Sequence, residues 1–277
     1  IPYTAQSKAG ADGALVPVNM ATPMQKALAV IDKQVGGIDA YVQEKLGYES
    51  IEEMNNYLMG LQIDSIASAI YNIENGEGII IADQTGIGKG RQAAAILRYA
   101  RKEGKTPVFV TVKADLFTDM YRDLQDIGVN DASPLLMNGD GEITDRKTDS
   151  KLFTNKKSKH NQVLDDLAST GELPDGKDML FLTYSQINRA GNRQQQALAA
   201  MSPNAIFVLD ESHNAGGDSN TGQYMQSVLA ESAGVTYLSA TYAKRPDNLP
   251  LYLKTSISRA VDGLKELVDA VTVGGLG

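Results

Sequence analysis

The chain has 277 residues, 42% hydrophobic and 22% charged, which is room for one large domain with a full core or two small ones. It has no cysteine and only two histidines, His160 and His213, so disulfides and thiolate metal sites are excluded and a histidine-built zinc centre is disfavoured. A net charge of −8 and a pI near 4.9 argue against a strongly basic nucleic-acid glove while leaving local basic patches open, and no stretch reaches the roughly 18 apolar residues of a membrane span.

The chain opens at Ile1-Pro2 rather than Met and carries no signal-peptide pattern, the expectation being a fragment of a longer polypeptide. Residues 1–21 are small, polar and punctuated by Pro and Gly, and read as an extended arm. Thr22-Pro23-Met24-Gln25 predicts a helix start, with proline at the first helical position. Gly36-Gly37 should end that helix. A second, with Ile38, Tyr41, Val42 and Leu46 on one face, stops at Gly47, and Ser50-Ile51-Glu52-Glu53 opens a third. A fourth spaces Ile63, Ile66, Ile70 and Ile73 helically and ends at Asn75-Gly76.

From here strands and helices alternate. Ile79-Ile80-Ile81, 107–112 (PVFVTV), 179–183 (MLFLT), 205–209 (AIFVL) and 235–239 (VTYLS) are apolar runs bounded by turns, with helices expected at 116–127 and 193–200. The pattern predicts an α/β fold with a mainly parallel, doubly wound sheet and ligand at the carboxyl ends of its strands. Residues 138–178 interrupt it. They are charged and weakly periodic, and read as a solvated polar insertion whose Lys151, Lys156, Lys157 and Lys159 could meet a phosphate backbone.

Four constellations carry chemistry. The first is GIIIADQTGIGKGRQAAAIL, residues 78–97: strand, glycine-rich loop with a lysine, helix. Backbone N–H groups of Thr85, Gly86, Gly88, Gly90 and Arg91 can turn inward there, the helix N-terminus adds positive potential, and Lys89 can reach terminal phosphates. Arg91 stands where a dinucleotide fingerprint or a kinase-type glycine loop needs another residue, so both fail; an ordinary glycine-rich turn is the plain alternative. Gly90 stands where the P-loop pattern has a Ser or Thr magnesium ligand. The second is Asp210-Glu211 behind an apolar strand: one carboxylate to hold Mg²⁺, one to polarise an attacking water. The third, Ser239-Ala240-Thr241 after the last strand, can bond Glu211 or His213. The fourth is Gln62, whose amide can read an adenine edge.

In this order the four resemble the first RecA-like lobe of a superfamily 2 helicase or translocase, and more closely the strawberry notch family of helicase-like ATPases, in a bacterial or phage form. Val16-Pro17-Val18-Asn19-Met20, Gly86-Ile87-Gly88-Lys89-Gly90-Arg91, Asp115-Leu116 through Arg122-Asp123-Leu124, Ile127-Gly128, Phe181-Leu182-Thr183-Tyr184-Ser185, Asp210-Glu211-Ser212-His213 and Ser239-Ala240-Thr241 carry the resemblance, which spans nearly the whole chain. It implies ATP and Mg²⁺ as cofactors. Lys89 would bind the β- and γ-phosphates, Asp210 the Mg²⁺, and Glu211 would act as base. Gln62 would read adenine, and Thr111, Lys113, Thr183 and Tyr184 would line a track for DNA.

The implied layout is an arm and helical preface over 1–60 and a RecA-like ATPase lobe over 61–277, containing the 138–178 insertion. Such motors hold ATP between two lobes, the second supplying an arginine finger. That second lobe is expected in the missing part of the polypeptide or on a partner chain. The implied setting has no membrane: cytoplasmic or nucleoid-associated in a bacterium, delivered with the virion in a phage. Two rivals stand beside it. One is a nucleotide-binding interaction module of a larger assembly that does not hydrolyse. The other, an acyl hydrolase using Ser212 and His213, is poor because neighbours on a strand end project in different directions.

Overall fold

The computed structural model describes residues 4–9, 18–82, 88–152, 156–211 and 219–239. Four helices come first: α1 (Val18–Val35), α2 (Ile38–Leu46), α3 (Ile51–Asn55) and α4 (Gly60–Glu74). They are followed by β1 (Ile79–Ala82), α5 (Lys89–Lys102), β2 (Thr106–Thr111), α6 (Leu116–Asp126) and β3 (Pro134–Leu136). Then come β4 (Ile143–Asp145), β5 (Ser150–Leu152), α7 (Lys157–Thr170), β6 (Met179–Thr183), α8 (Arg193–Met201), β7 (Ala205–Leu209), α9 (Asn220–Ala230) and β8 (Gly234–Ser239).

Six strands form one parallel sheet in the order β1-β8-β7-β2-β6-β3. The chain steps outward from β1 through β2 to β3, then returns through β6 and β7 to β8. A right-handed crossover deposits its helix on opposite faces for opposite directions of travel. Two cores result. Phe109, Met179, Phe181, Ile206, Val208 and Leu238 pack with the preface, α5 and α6, whereas Val108, Val110, Leu180, Leu182, Phe207 and Tyr237 pack with α7, α8 and α9. The period-2 alternation divides each strand between the cores, so a sheet buried on both faces reads in sequence as unbroken apolar runs. On the first face Phe181 takes Phe109 edge-on at 5.4 Å between ring centroids and Phe117 at 5.7 Å.

The preface is joined to the lobe through α5. Arg98 stacks its guanidinium 3.9 Å over the Tyr48 ring and donates to the carbonyls of Leu46 and Ile127. Residues 6–8 are held by carboxylates: Asp64, 1% exposed, accepts from the Gln6 and Ser7 N–H groups at 2.8 Å each, and Asp39 from the Lys8 N–H at 2.9 Å.

Three expectations change. Helix α1 begins at Val18, four residues before the Thr22 start signal, so Pro23 lies in its second turn and gives up one backbone bond there. The edge strand β3 has only three residues and opens on a proline, too little for periodicity to reveal but compatible with an edge position. Residues 138–178 carry an antiparallel β4–β5 hairpin and α7, which packs on α8 with only Leu164 and Leu167 buried; two apolar anchors in 14 residues leave little periodic signal.

Because Phe181 joins the β6 strand to β2 and α6, Phe181→Ala is expected to lower stability by about 3–5 kcal/mol, read as a fall in the urea midpoint at unchanged slope.

Candidate nucleotide site

Strand β8 separates β1 from β7, so the loop after β1 and the carboxylates after β7 are not on adjacent strands. Lys89 spans the gap. As the first residue of α5 it extends Nζ to 3.1 Å from Glu211 Oε1 and 3.4 Å from Asp210 Oδ1. Consecutive residues of an extended strand point to opposite faces, and yet both carboxylates reach one ammonium. The backbone of Glu211 makes this possible: it takes φ 48°, the left-handed region, turning its side chain back toward Lys89. A residue with a Cβ pays strain for that conformation, and such strain gathers at functional sites.

Asp210 is held from several sides. Its N–H donates to the Val110 carbonyl at 2.8 Å, its Oδ2 accepts from Thr111 Oγ1 at 3.0 Å, and its carbonyl accepts from Tyr184 Oη at 2.9 Å. One carboxylate oxygen thus faces Lys89 and the other is oriented by a buried hydroxyl. Burial alone would push the Lys89 ammonium below its ordinary pKa; the negative charges of Asp210 and Glu211 outweigh that and raise it, so Lys89 remains charged through the neutral range.

Gly88 is the left-handed residue (φ 75°) just ahead of α5, and a Cβ there would lie 2.5 Å from Gln62 Nε2. Gln62 is 2% exposed, and its Oε1 accepts from the Met59 N–H at 2.9 Å, half of a capping box at the start of α4. The amide expected to read a base therefore sits against the end of the phosphate loop and also caps a helix. The Arg91 side chain is engaged elsewhere, its Nη1 donating to the Tyr57 carbonyl at 2.7 Å.

The residues expected along a nucleic-acid track divide. Lys113 is exposed, whereas Thr111, Thr183 and Tyr184 are buried. Thr183 pairs with Asn138, which donates from Nδ2 to the hydroxyl and accepts from the Thr183 N–H. These three can act on a nucleic acid only by shaping the loops around them. Asn138 was missed in the sequence because it lies in the segment read as insertion. Thr85, Gly86, His213, Ala240 and Thr241 lie outside the described residues, and Ser239 is described only in its backbone, opposite Ala82 in the β1–β8 register. Strand β8, which ends at Ser239, lies between β1 and β7.

Among the described residues no group of three His, Cys, Asp or Glu side chains forms a ready metal cluster. Magnesium does not need one, since it is usually held by one or two carboxylates together with phosphate oxygens and water. Asp210, a hard oxygen donor oriented by Thr111, fits that requirement. Among the described residues, no helix is long and apolar enough to cross a membrane.

A family model described as P-loop containing NTP hydrolase pore-1 matches residues 33–257. Protein strawberry notch homolog 1 of Gallus gallus is 29% identical over 237 residues, 76% of this chain and 17% of that protein. Protein strawberry notch of Drosophila melanogaster is 25% identical over 269 residues, 86% of this chain and 15% of that one. The chain therefore spans only a small fraction of these relatives. Neither bears on a bacterial or phage origin. Of the solved structures, the Sulfolobus solfataricus SWI2/SNF2 ATPase core domain superposes with a TM-score of 0.49 at 16% identity, covering 78% of this chain and 42% of that one.

Gln62→Ala is expected to open the α4 cap and lower stability by about 1 kcal/mol in urea unfolding. Gln62→Glu keeps the acceptor and should recover most of that loss.

Proposed function

Because the chain belongs to the family of P-loop containing NTP hydrolases of the pore-1 type, we propose that it is the ATP-binding lobe of a superfamily 2 DNA helicase or translocase, which hydrolyses ATP to move on or remodel DNA. The observation that carries this reading is the meeting of Lys89 with Asp210 and Glu211 at the carboxyl edge of a parallel sheet. In this arrangement the charged lysine is paired with the two carboxylates that flank it. An arriving triphosphate offers Lys89 stronger partners and frees both acids, Asp210 for Mg²⁺ and Glu211 for a water proton. Bound magnesium would supply charge neutralisation at the phosphates. Thr111 keeps the Asp210 carboxylate in register, and the strained turn at Glu211 keeps the base beside the phosphates.

DNA is proposed as the partner, with Lys113 as an exposed contact, on the strength of the strawberry notch resemblance. A second RecA-like lobe in the longer polypeptide or on a partner chain would close the site. A nucleotide-dependent interaction module without hydrolysis is the second reading, favoured by Gly90, which brings no hydroxyl to the phosphate loop.

Two measurements test the proposal. Calorimetric titration of Mg-ATP is expected to show binding that Lys89→Ala abolishes, at micromolar to millimolar affinity, with GTP weaker than ATP if Gln62 reads the base. Binding unchanged in Lys89→Ala would sink the phosphate-loop reading. Glu211→Gln is expected to keep ATP binding and lower turnover by about 100-fold or more; turnover that survives the change removes Glu211 as the base.

A further inference from the structure

We propose that Asp123, reaching over from α6 to the space beside Gly90, replaces the hydroxyl that the phosphate loop lacks as an oxygen ligand to the nucleotide-bound magnesium. The inference rests on the NTP-hydrolase reading above and extends it to a residue outside the loop. In a P-loop the residue after the lysine projects a Ser or Thr oxygen toward the metal. Gly90 occupies that position, and the space its side chain would fill is already taken. A Cβ built on Gly90 would lie 2.1 Å from Asp123 Oδ2, 2.7 Å from Cγ and 3.1 Å from Oδ1. A serine oxygen would stand one bond from that Cβ. The carboxylate of Asp123 therefore puts a hard oxygen donor into the same volume, delivered by a different helix and carrying a charge that a hydroxyl does not. Gly90 is thereby explained as the residue that leaves room for it.

Asp123 has little else to do there. Its side chain is 14% exposed, and among the described residues its one ion pair is with Arg122, whose Nη2 stands 3.4 Å from Oδ1 rather than from the oxygen facing Gly90. Burial holds its carboxyl above the ordinary range against the pull of Arg122, with Asp126 and Asp119 adding to the rise. A carboxylate at the N-terminus of α5 is favoured by the positive end of the helix, but it repels a triphosphate bound at the same end. A divalent cation held by the Asp123 carboxylate would offset that repulsion.

The test compares ATP affinity with and without Mg²⁺ by calorimetry on the 277-residue chain, in wild type, Asp123→Asn and the double variant Asp123→Ala/Gly90→Ser. Thermal melts check that each folds. Asp123→Asn should lower the Mg²⁺-dependent gain in ATP affinity by about 10-fold. ATP without metal should bind the same variant at least as tightly as wild type, since a repelling charge is gone. The double variant, which returns a hydroxyl to the loop, should regain most of the metal dependence. Mn²⁺ bound with ATP should give an altered electron paramagnetic resonance spectrum in Asp123→Asn. A full Mg²⁺ gain and an unchanged Mn²⁺ spectrum in Asp123→Asn would overturn the assignment while leaving the NTP reading intact. Failure of wild type to bind ATP under either condition would overturn the NTP reading itself and the assignment with it.

Discussion

The attraction between Lys89 and the paired carboxylates of Asp210 and Glu211 is the interaction on which the rest of the arrangement depends. It reaches across the position of β8 to tie the start of α5 to the end of β7. Half-buried charges are costly to desolvate, and a lysine in this place would lose its proton more easily were it alone. Two acids outweigh that cost and keep it charged. The backbone contributes as well: without the left-handed turn at Glu211, the second acid would point away from the first.

Around this contact the sheet acts as a jig. Its all-parallel order brings every strand's carboxyl end to one edge, so loops distant in sequence become neighbours there. Burial on both faces fixes each strand's register, because a slip by one residue would exchange the side chains of the two cores. The same rigidity extends to small positions in the loops. Gly88 leaves space for the Gln62 amide, and Gly90 leaves space for the Asp123 carboxylate. Glycine in this loop therefore does two jobs: at Gly88 it allows the left-handed turn ahead of α5, and at Gly90 it admits a side chain from α6 that a Ser or Thr there would exclude.

The preface is part of the same machine. Arg98 grips Tyr48 and two carbonyls, Arg91 holds the Tyr57 carbonyl, and Gln62 leans on Gly88, so helices ahead of β1 are fastened to both ends of α5. A displacement of α4 would be felt at the phosphate loop. Gln6 and Ser7 are pinned by Asp64, two positions beyond Gln62 on the same helix, and Lys8 by Asp39.

The apolar runs and the helical spacing of α2 and α4 were legible in the sequence because local periodicity and turn chemistry specify them without reference to distant residues. So was the family likeness, which lives in short contiguous motifs. Strand order, with β8 between β1 and β7, was not legible, since it is set by the direction of each crossover. Nor were β3, the β4–β5 hairpin and α7, which are too short or too polar to carry a period and are held by contacts to β6, α6 and α8. Thr111 and Thr183 illustrate the same division. The sequence placed them at strand ends, and only packing decided that their hydroxyls face Asp210 and Asn138 rather than solvent. By itself the sequence determined that a lysine loop and an Asp-Glu pair stand at the carboxyl ends of strands. That Lys89 bridges to the pair, and that Asp123 fills the space beside Gly90, depends on side chains converging from separate elements, and only the tertiary structure could decide it.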